Sequence, residues 1–199
     1  MIYWILIGMA VILFPIEKKK VICGIGNSYH KINGTKIWFV IITIALVLIS
    51  ALRSDVVGQD TSMYHTLFNY AKESDNFWGW YYSWRGGGTE IGYSLLEYCI
   101  SRFANFQFFL LSIALITIIP VMFLIYKYSS NHLFSIFLFI AFGYYAFFMN
   151  GIRQSIAMGL CCIAYTFAKE KKIIPYLIII TIAVLFHLSA VVFIPVYWL

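Results

Sequence analysis

The sequence predicts an all-α polytopic transmembrane helix bundle, with about six to seven spans and an amphipathic extracytoplasmic loop. Two observations carry this expectation. The chain is 62% hydrophobic and only 11% charged, where an average soluble domain is about 25% charged. Several apolar runs also approach the ~20 residues that cross a hydrocarbon core, and polar turns separate them. Residues 1–199 therefore read as one integral membrane domain, with 53–105 as the loop within it. The net charge of +6 needs no nucleic-acid partner, because basic residues flank membrane spans for topological reasons. Cys23, Cys99, Cys161 and Cys162 match no zinc or redox spacing and read as small buried hydrophobes.

The first expected span is Ile2–Ile16, stopped by Glu17-Lys18-Lys19-Lys20. It lacks the basic start and small-residue cleavage site of a signal peptide. Gly24 to Gly34 is rich in turn formers and lysine and predicts a loop. Ile37–Leu52 is the second span, ending at Arg53. Arg53–Asn105 is different material, holding six of the eight carboxylates and several tryptophans. Within it, Thr61–Ser74 and Ile91–Phe103 carry helical spacing, and Gly86-Gly87-Gly88 is a flexible break. Phe106–Tyr126 is the third span, with a tolerable Pro120. Leu133–Met149 is the fourth, Ile156–Ala168 the core of the fifth, and Ile173–Phe186 the sixth. Ile173–Leu199 would be about 40 Å as one helix, so a break is expected near His187-Leu-Ser-Ala190. The chain stops inside an apolar run and is expected to continue beyond residue 199 in a longer parent protein.

Lysine placement sets the orientation. With the N-terminus outside, nine of the fourteen basic residues fall on the cytoplasmic side, all of them lysines. All four arginines, Arg53, Arg85, Arg102 and Arg153, fall outside. Topology alone would keep arginine inside as well, so arginines retained outside suggest a task there.

Three motifs reach this outer level: Arg53-Ser-Asp-Val-Val-Gly-Gln-Asp60-Thr-Ser-Met-Tyr64, Asn150-Gly-Ile-Arg153-Gln154-Ser-Ile-Ala157 and His187-Leu-Ser-Ala190. Arginine, carboxylate and histidine at one membrane level can bind an anion and move a proton. Arg153 has two readings here. It is an interfacial anchor whose guanidinium reaches headgroups, or it holds a phosphate where two helices turn. No clustered carboxylates or His-x-His pattern point to a divalent metal. Neither a metal nor another cofactor is expected.

Taken together, the three motifs in this order resemble the EpsG family of bacterial polysaccharide polymerases, relatives of the Wzy-type O-antigen polymerases. The resemblance implies a multi-pass enzyme of the bacterial cytoplasmic (inner) membrane, with an extracytoplasmic N-terminus. It implies a metal-independent glycosyltransferase that polymerises polyprenyl-diphosphate-linked oligosaccharide repeats in exopolysaccharide, O-antigen or capsule synthesis. Partners would be that substrate, the bilayer, and the pathway's chain-length regulator and flippase. Arg153, Asp60 and His187 are then the catalytic candidates. Arg53, Gln154, Tyr64 and Glu90 are the substrate-binding ones. Arg153 and Arg53 would hold the diphosphate, and Gln154 would add an amide donor. Asp60, Glu90 and His187 are the candidate bases, histidine because as a residue type it titrates near neutrality. Arg53, Asp60 and His187 have plainer alternatives. Arg53 pairs with Asp55 or Asp60 to fix the loop, Asp60 caps a helix, and His187 is a satisfied interfacial histidine. Trp78, Trp80, Tyr81, Tyr82 and Trp84 either stack on sugars or form an aromatic belt. Ser155-x-x-x-Gly159 and Ala157-x-x-x-Cys161 read as helix packing. The rival functions are a transporter or flippase of the same lipid-linked glycan, a ligase, and a non-catalytic membrane component of the assembly machinery.

Overall fold

The structure, a computed structural model, describes residues 8, 20–25, 28–85 and 90–199. The first expected span, Gly8 apart, and the Gly86-Gly87-Gly88 break lie outside these residues. So does the side chain of Trp84. The chain is helical with one departure: β1 (Lys20–Ile25) pairs antiparallel with β2 (Ser28–Asn33), Lys20 opposite Asn33. Composition predicts a loop there. The backbone groups instead satisfy each other across a ladder, which turn-forming residues on their own do not disclose.

The remaining elements are α1 (Gly34–Ala51), α2 (Thr61–Glu73), α3 (Phe77–Arg85), α4 (Ile91–Phe103), α5 (Phe106–Tyr128), α6 (His132–Ala141), α7 (Tyr144–Asn150), α8 (Ile152–Lys169) and α9 (Ile173–Phe186). An eleven-residue 3-10 helix, Leu188–Trp198, follows. The predicted helices of the loop, the helix expected as the sixth span and the break at His187 all fall where helical spacing and helix length put them. The expected fourth span is not one straight helix. It divides into α6 and α7, bent by 50°, because Gly143 takes a left-handed conformation at φ 79° that a side chain would resist. Asn105 and Asn131 start α5 and α6 by accepting the amides of Phe108 and Phe134 at 2.9 and 3.1 Å.

Among the described residues, α5 alone is long and apolar enough to cross a bilayer by itself, and α6 with α7 qualify as a bent pair. The apolar helices Lys36–Ala51, α9 and Leu188–Trp198 are shorter. One core cluster joins α1, α5, α6 and α7 around Trp38, Leu46, Ile118 and Tyr145. A second joins α2, α4, α5 and α8 around Phe68, Tyr93, Phe109 and Ile156. A third packs Ala157, Cys161, Tyr176, Ala183 and Ala190 between α8, α9 and the 3-10 helix. At the crossing of α5 and α8, a Cβ on Gly159 would lie 2.5 Å from the Ile116 carbonyl oxygen. The small-residue step that contains Gly159 thus permits close backbone approach.

Cross-contacts give the bundle two chemically different ends. At one end, Gln107 at the start of α5 donates to the Ala51 carbonyl at the end of α1. There too Arg53 donates to the Met149 carbonyl near the end of α7. At the other end, Phe39 in α1 meets Tyr126 of α5 with ring centroids 5.2 Å apart. There Lys127 lies 3.6 Å from Glu170. The arginine end thus gathers the C-termini of α1, α7 and α9 and the N-termini of α5 and α8. The lysine end gathers Lys36, Lys127, Lys169, Lys171 and Lys172. The 3-10 helix folds back along α9 toward the lysines: the Tyr176 hydroxyl donates to the Phe193 carbonyl, and Tyr197 donates to the Lys171 carbonyl at 2.8 Å.

Candidate functional site

The site is built on the turn between α7 and α8. Asn150 closes α7, and its side chain ties this turn to the loop before α2. Its Oδ1 accepts the Gln59 amide at 2.7 Å, and its Nδ2 donates to the Ala146 carbonyl at 3.0 Å. Gly58, at φ 95°, lies against it; a Cβ there would be 3.0 Å from the Asn150 Oδ1. The turn fixes the first residues of α8, and Arg153 is the second residue of that helix.

Arg153 reaches across to Glu90, which occupies the N-cap position of α4. Its Nη1 donates to Oε2 at 2.7 Å. The other carboxylate oxygen, Oε1, lies 2.8 Å from His187 Nδ1. His187 stands where α9 stops: its backbone is extended, and its amide bonds to the Ala183 carbonyl. Residues 63 and 97 positions from Glu90 thus share one carboxylate. The side chains of Glu90, His187 and Arg153 are 20%, 30% and 33% exposed, so the cluster is shielded yet open to a ligand.

Burial pushes the Glu90 carboxyl up. Its backbone hydrogen bond, the His187 bond, and the charge and bond of Arg153 outweigh burial and hold it below the ordinary carboxylate value. Glu90 is therefore ionised at neutral pH and can only accept hydrogen bonds. Nδ1 of a neutral His187 must then carry the ring proton, leaving Nε2 as the basic nitrogen. Arg153 spends one N–H of Nη1 on Glu90, which leaves the second N–H of Nη1, both of Nη2 and that of Nε as its remaining donors.

Helix polarity adds to this field. α2 and α4 lie side by side in parallel: the Tyr64 and Tyr93 rings meet near their starts at 5.8 Å. At their ends Arg102 donates to the carbonyls of Ala71 and Ser74. The N-termini of α2, α4 and α8 accordingly converge around Asn150, Glu90 and Arg153, and their dipoles favour negative charge. α9 meets the same place with its C-terminus, at His187.

The other predicted site residues stand apart from this cluster. Arg53 is 5% exposed. It donates to the Ser50 carbonyl (2.8 Å), Ser50 Oγ (3.1 Å), the Met149 carbonyl (3.2 Å) and Thr61 Oγ1 (3.4 Å). Burial lowers its pKa to about 10, which leaves it a cation. These bonds make Arg53 a strut between the end of α1, the start of α2 and the end of α7. Nor does it pair with Asp55 or Asp60, since Asp55 meets His65 instead. Asp60 holds the N-cap position of α2, but its side chain makes no capping bond; it is half-buried on the loop that Asn150 fastens. Tyr64 is 3% exposed and belongs to the second core cluster, its ring against Tyr93. Gln154 is half-buried and lines a cleft between α8 and the 3-10 helix. Of the aromatic group, Trp80 and Tyr81 are buried, while Trp78 and Tyr82 stack on each other outside, 54% and 63% exposed.

Sequence reasoning missed two pairings. His65 Nδ1 meets Asp55 Oδ2 at 2.7 Å, with its ring stacked 4.3 Å from that of Phe106. The only signal was a histidine ten residues after a carboxylate. Tyr93 donates to the buried Glu97 at 3.3 Å, a pair that helical i, i+4 spacing does signal. Among the described residues, no group of three or more His, Cys, Asp or Glu converges to hold a metal ion.

No curated protein and no solved structure matches the chain. One family model does, over residues 36–199, a range that holds all but the first two residues of α1, every later element and all three site motifs. The chain belongs to the EpsG family, and with it to the membrane proteins of polysaccharide biosynthesis.

Proposed function

We propose that this chain is a polytopic, metal-independent polysaccharide polymerase of the bacterial cytoplasmic membrane, joining polyprenyl-diphosphate-linked oligosaccharide repeats at its outer face. The observation that carries this reading is the Glu90 carboxylate shared by Arg153 and His187. It orients a base and a phosphate-binding cation toward one place.

In this mechanism Arg153 binds the diphosphate of the donor through the donors it does not spend on Glu90. His187 Nε2 takes the proton from an acceptor sugar hydroxyl as that oxygen attacks the donor's anomeric carbon. The bond from that carbon to the phosphate oxygen breaks. Polyprenyl diphosphate leaves with the electron pair, its charge stabilised by Arg153 and the converging helix N-termini. Glu90 fixes the tautomer of His187 and stabilises the imidazolium that forms, so its part is positioning. Lysines at one end of the bundle and the Arg153 site at the other support a cytoplasmic lysine face and an external site. A flippase would need polar groups distributed across the bundle's depth. The ion pairs among the described residues sit toward its two ends instead.

The test is Arg153→Lys, which keeps charge but loses planar, multidentate geometry. Loss of one such donor typically costs about 10²–10³ in rate. Cells producing the variant at normal level are expected to lose long-chain glycan. Wild-type chain lengths would make Arg153 an anchor, because lysine reaches headgroups equally well.

A further inference from the structure

A cleft of about 220 Å³ lies between α8 and the terminal 3-10 helix. At its upper end are Gln154, next to Arg153, and Ser189, two residues past His187. Deeper in, toward the lysine end, the lining turns apolar: Met158, Cys161, Val192 and Phe193. Small side chains make the space, since Ala157 and Ala190 face each other across the two helices in one cluster.

We infer that this cleft seats the first part of the polyprenyl chain of the lipid-linked substrate, directly below the diphosphate. The inference rests on the proposed function for the identity of that lipid. Continuity carries it, because the cleft begins at the residues that flank the cationic site and descends away from them. Its chemistry grades from an amide and a hydroxyl to methyl, thioether and aromatic groups, which matches a prenyl diphosphate from head to tail. Its volume suits a short piece of the chain, so the remainder lies along the outside of the bundle among lipids. A second apolar groove, about 340 Å³ between α1 and α5, is lined by Phe39, Ile44 and Phe123. Its one charged residue is Lys36, at the lysine end, remote from the diphosphate site. It serves as the control.

The experiment uses the full-length protein in membranes, with a photoreactive benzoylphenylalanine at Val192 or, as control, at Val40 in the second groove. Both positions are exposed, at 77% and 55%, so the protein folds around the probe. The ligand is long-chain polyprenyl diphosphate without sugar. The expected result is an adduct at Val192 that excess unlabelled ligand suppresses, and no suppressible adduct at Val40. In turnover, Val192→Trp is expected to raise KM for long-tailed substrate on the order of tenfold, the loss of about two buried methylenes. The kcat should stay as it is, a geranyl-tailed substrate should lose affinity likewise, and the constants for a substrate whose diphosphate ends in a methyl group, with no tail to seat, should not change. Adducts equal at both positions, or none at Val192, overturn the cleft. An equal KM change for the tailless methyl diphosphate substrate overturns it too. Because the photoprobe carries no sugar, the two readings fail separately. Adduct without polymerisation sinks the polymerase and keeps the cleft, and polymerisation without adduct does the reverse.

Discussion

Glu90→Gln isolates the shared carboxylate at nearly constant shape. If the amide oxygen accepts from Arg153, its NH₂ faces His187 Nδ1 and must donate to it. The ring proton then moves to Nε2, and the base is lost. If the amide turns over, two donors face each other at Arg153. The variant also loses the negative charge beside the imidazolium formed in the transition state. Two unit charges about 4 Å apart interact by about 4 kcal/mol at an effective dielectric of about 20. Both side chains are partly exposed, at 20% and 30%. Solvent keeps roughly half of that, about 2 kcal/mol, or a factor of about 30. The tautomer change adds to it, and positioned general bases contribute about 10²–10⁴ overall. The expected loss is therefore at least about a hundredfold, measured as single-turnover coupling of synthetic lipid-linked repeats by purified protein at neutral pH. Stability should follow the carboxylate. Its folded pKa lies below the ordinary value, so the ion pairs stabilise at pH above the unfolded pKa. That contribution disappears as pH falls through the folded pKa. The thermal difference between wild type and Glu90→Gln should thus be present at neutral pH and vanish in acid. A variant that couples repeats at the wild-type rate would refute the positioning role and remove the ground for calling His187 the base.

Other outcomes can be set beside this one. With a membrane-impermeant thiol reagent on intact cells, single-cysteine variants should label at Cys99, which is exposed, and not at Cys23; the reverse pattern would invert the topology and move the site inside. Polymerisation by purified protein should persist in chelator, and activity lost there and restored by magnesium would end the metal-independent mechanism. Arg53→Met should destabilise the fold by about 3 kcal/mol or more, because it strands buried carbonyls of Ser50 and Met149. Its readout is a lower unfolding temperature and cellular level. A normally stable Arg53→Met protein that fails to bind polyprenyl diphosphate would return Arg53 to the role of ligand.

Much of this protein is legible without coordinates, because apolar run length and lysine placement act locally along the chain. They mark α5, α9, the loop helices α2 and α4, and the break at His187, and they sort lysines from arginines. The three motifs lead to the family in the same way. What the sequence alone leaves open is which charged groups meet. Arg53 and Arg153 look alike as cations at helix ends, yet packing buries one among carbonyls and leaves the other facing Glu90. Glu90 precedes an amphipathic helix and has no special local signal; only the approach of α4 to α8 and α9 makes it the centre of the site. That approach depends on close backbone contact. A Cβ on Gly92 would lie 2.9 Å from the Leu185 carbonyl oxygen, so the glycine lets α4 settle against the end of α9, beside His187. The bend at Gly143 and the hairpin at β1 and β2 are likewise decisions of the folded chain. They depend on backbone dihedrals and partner strands, which residue types permit without dictating.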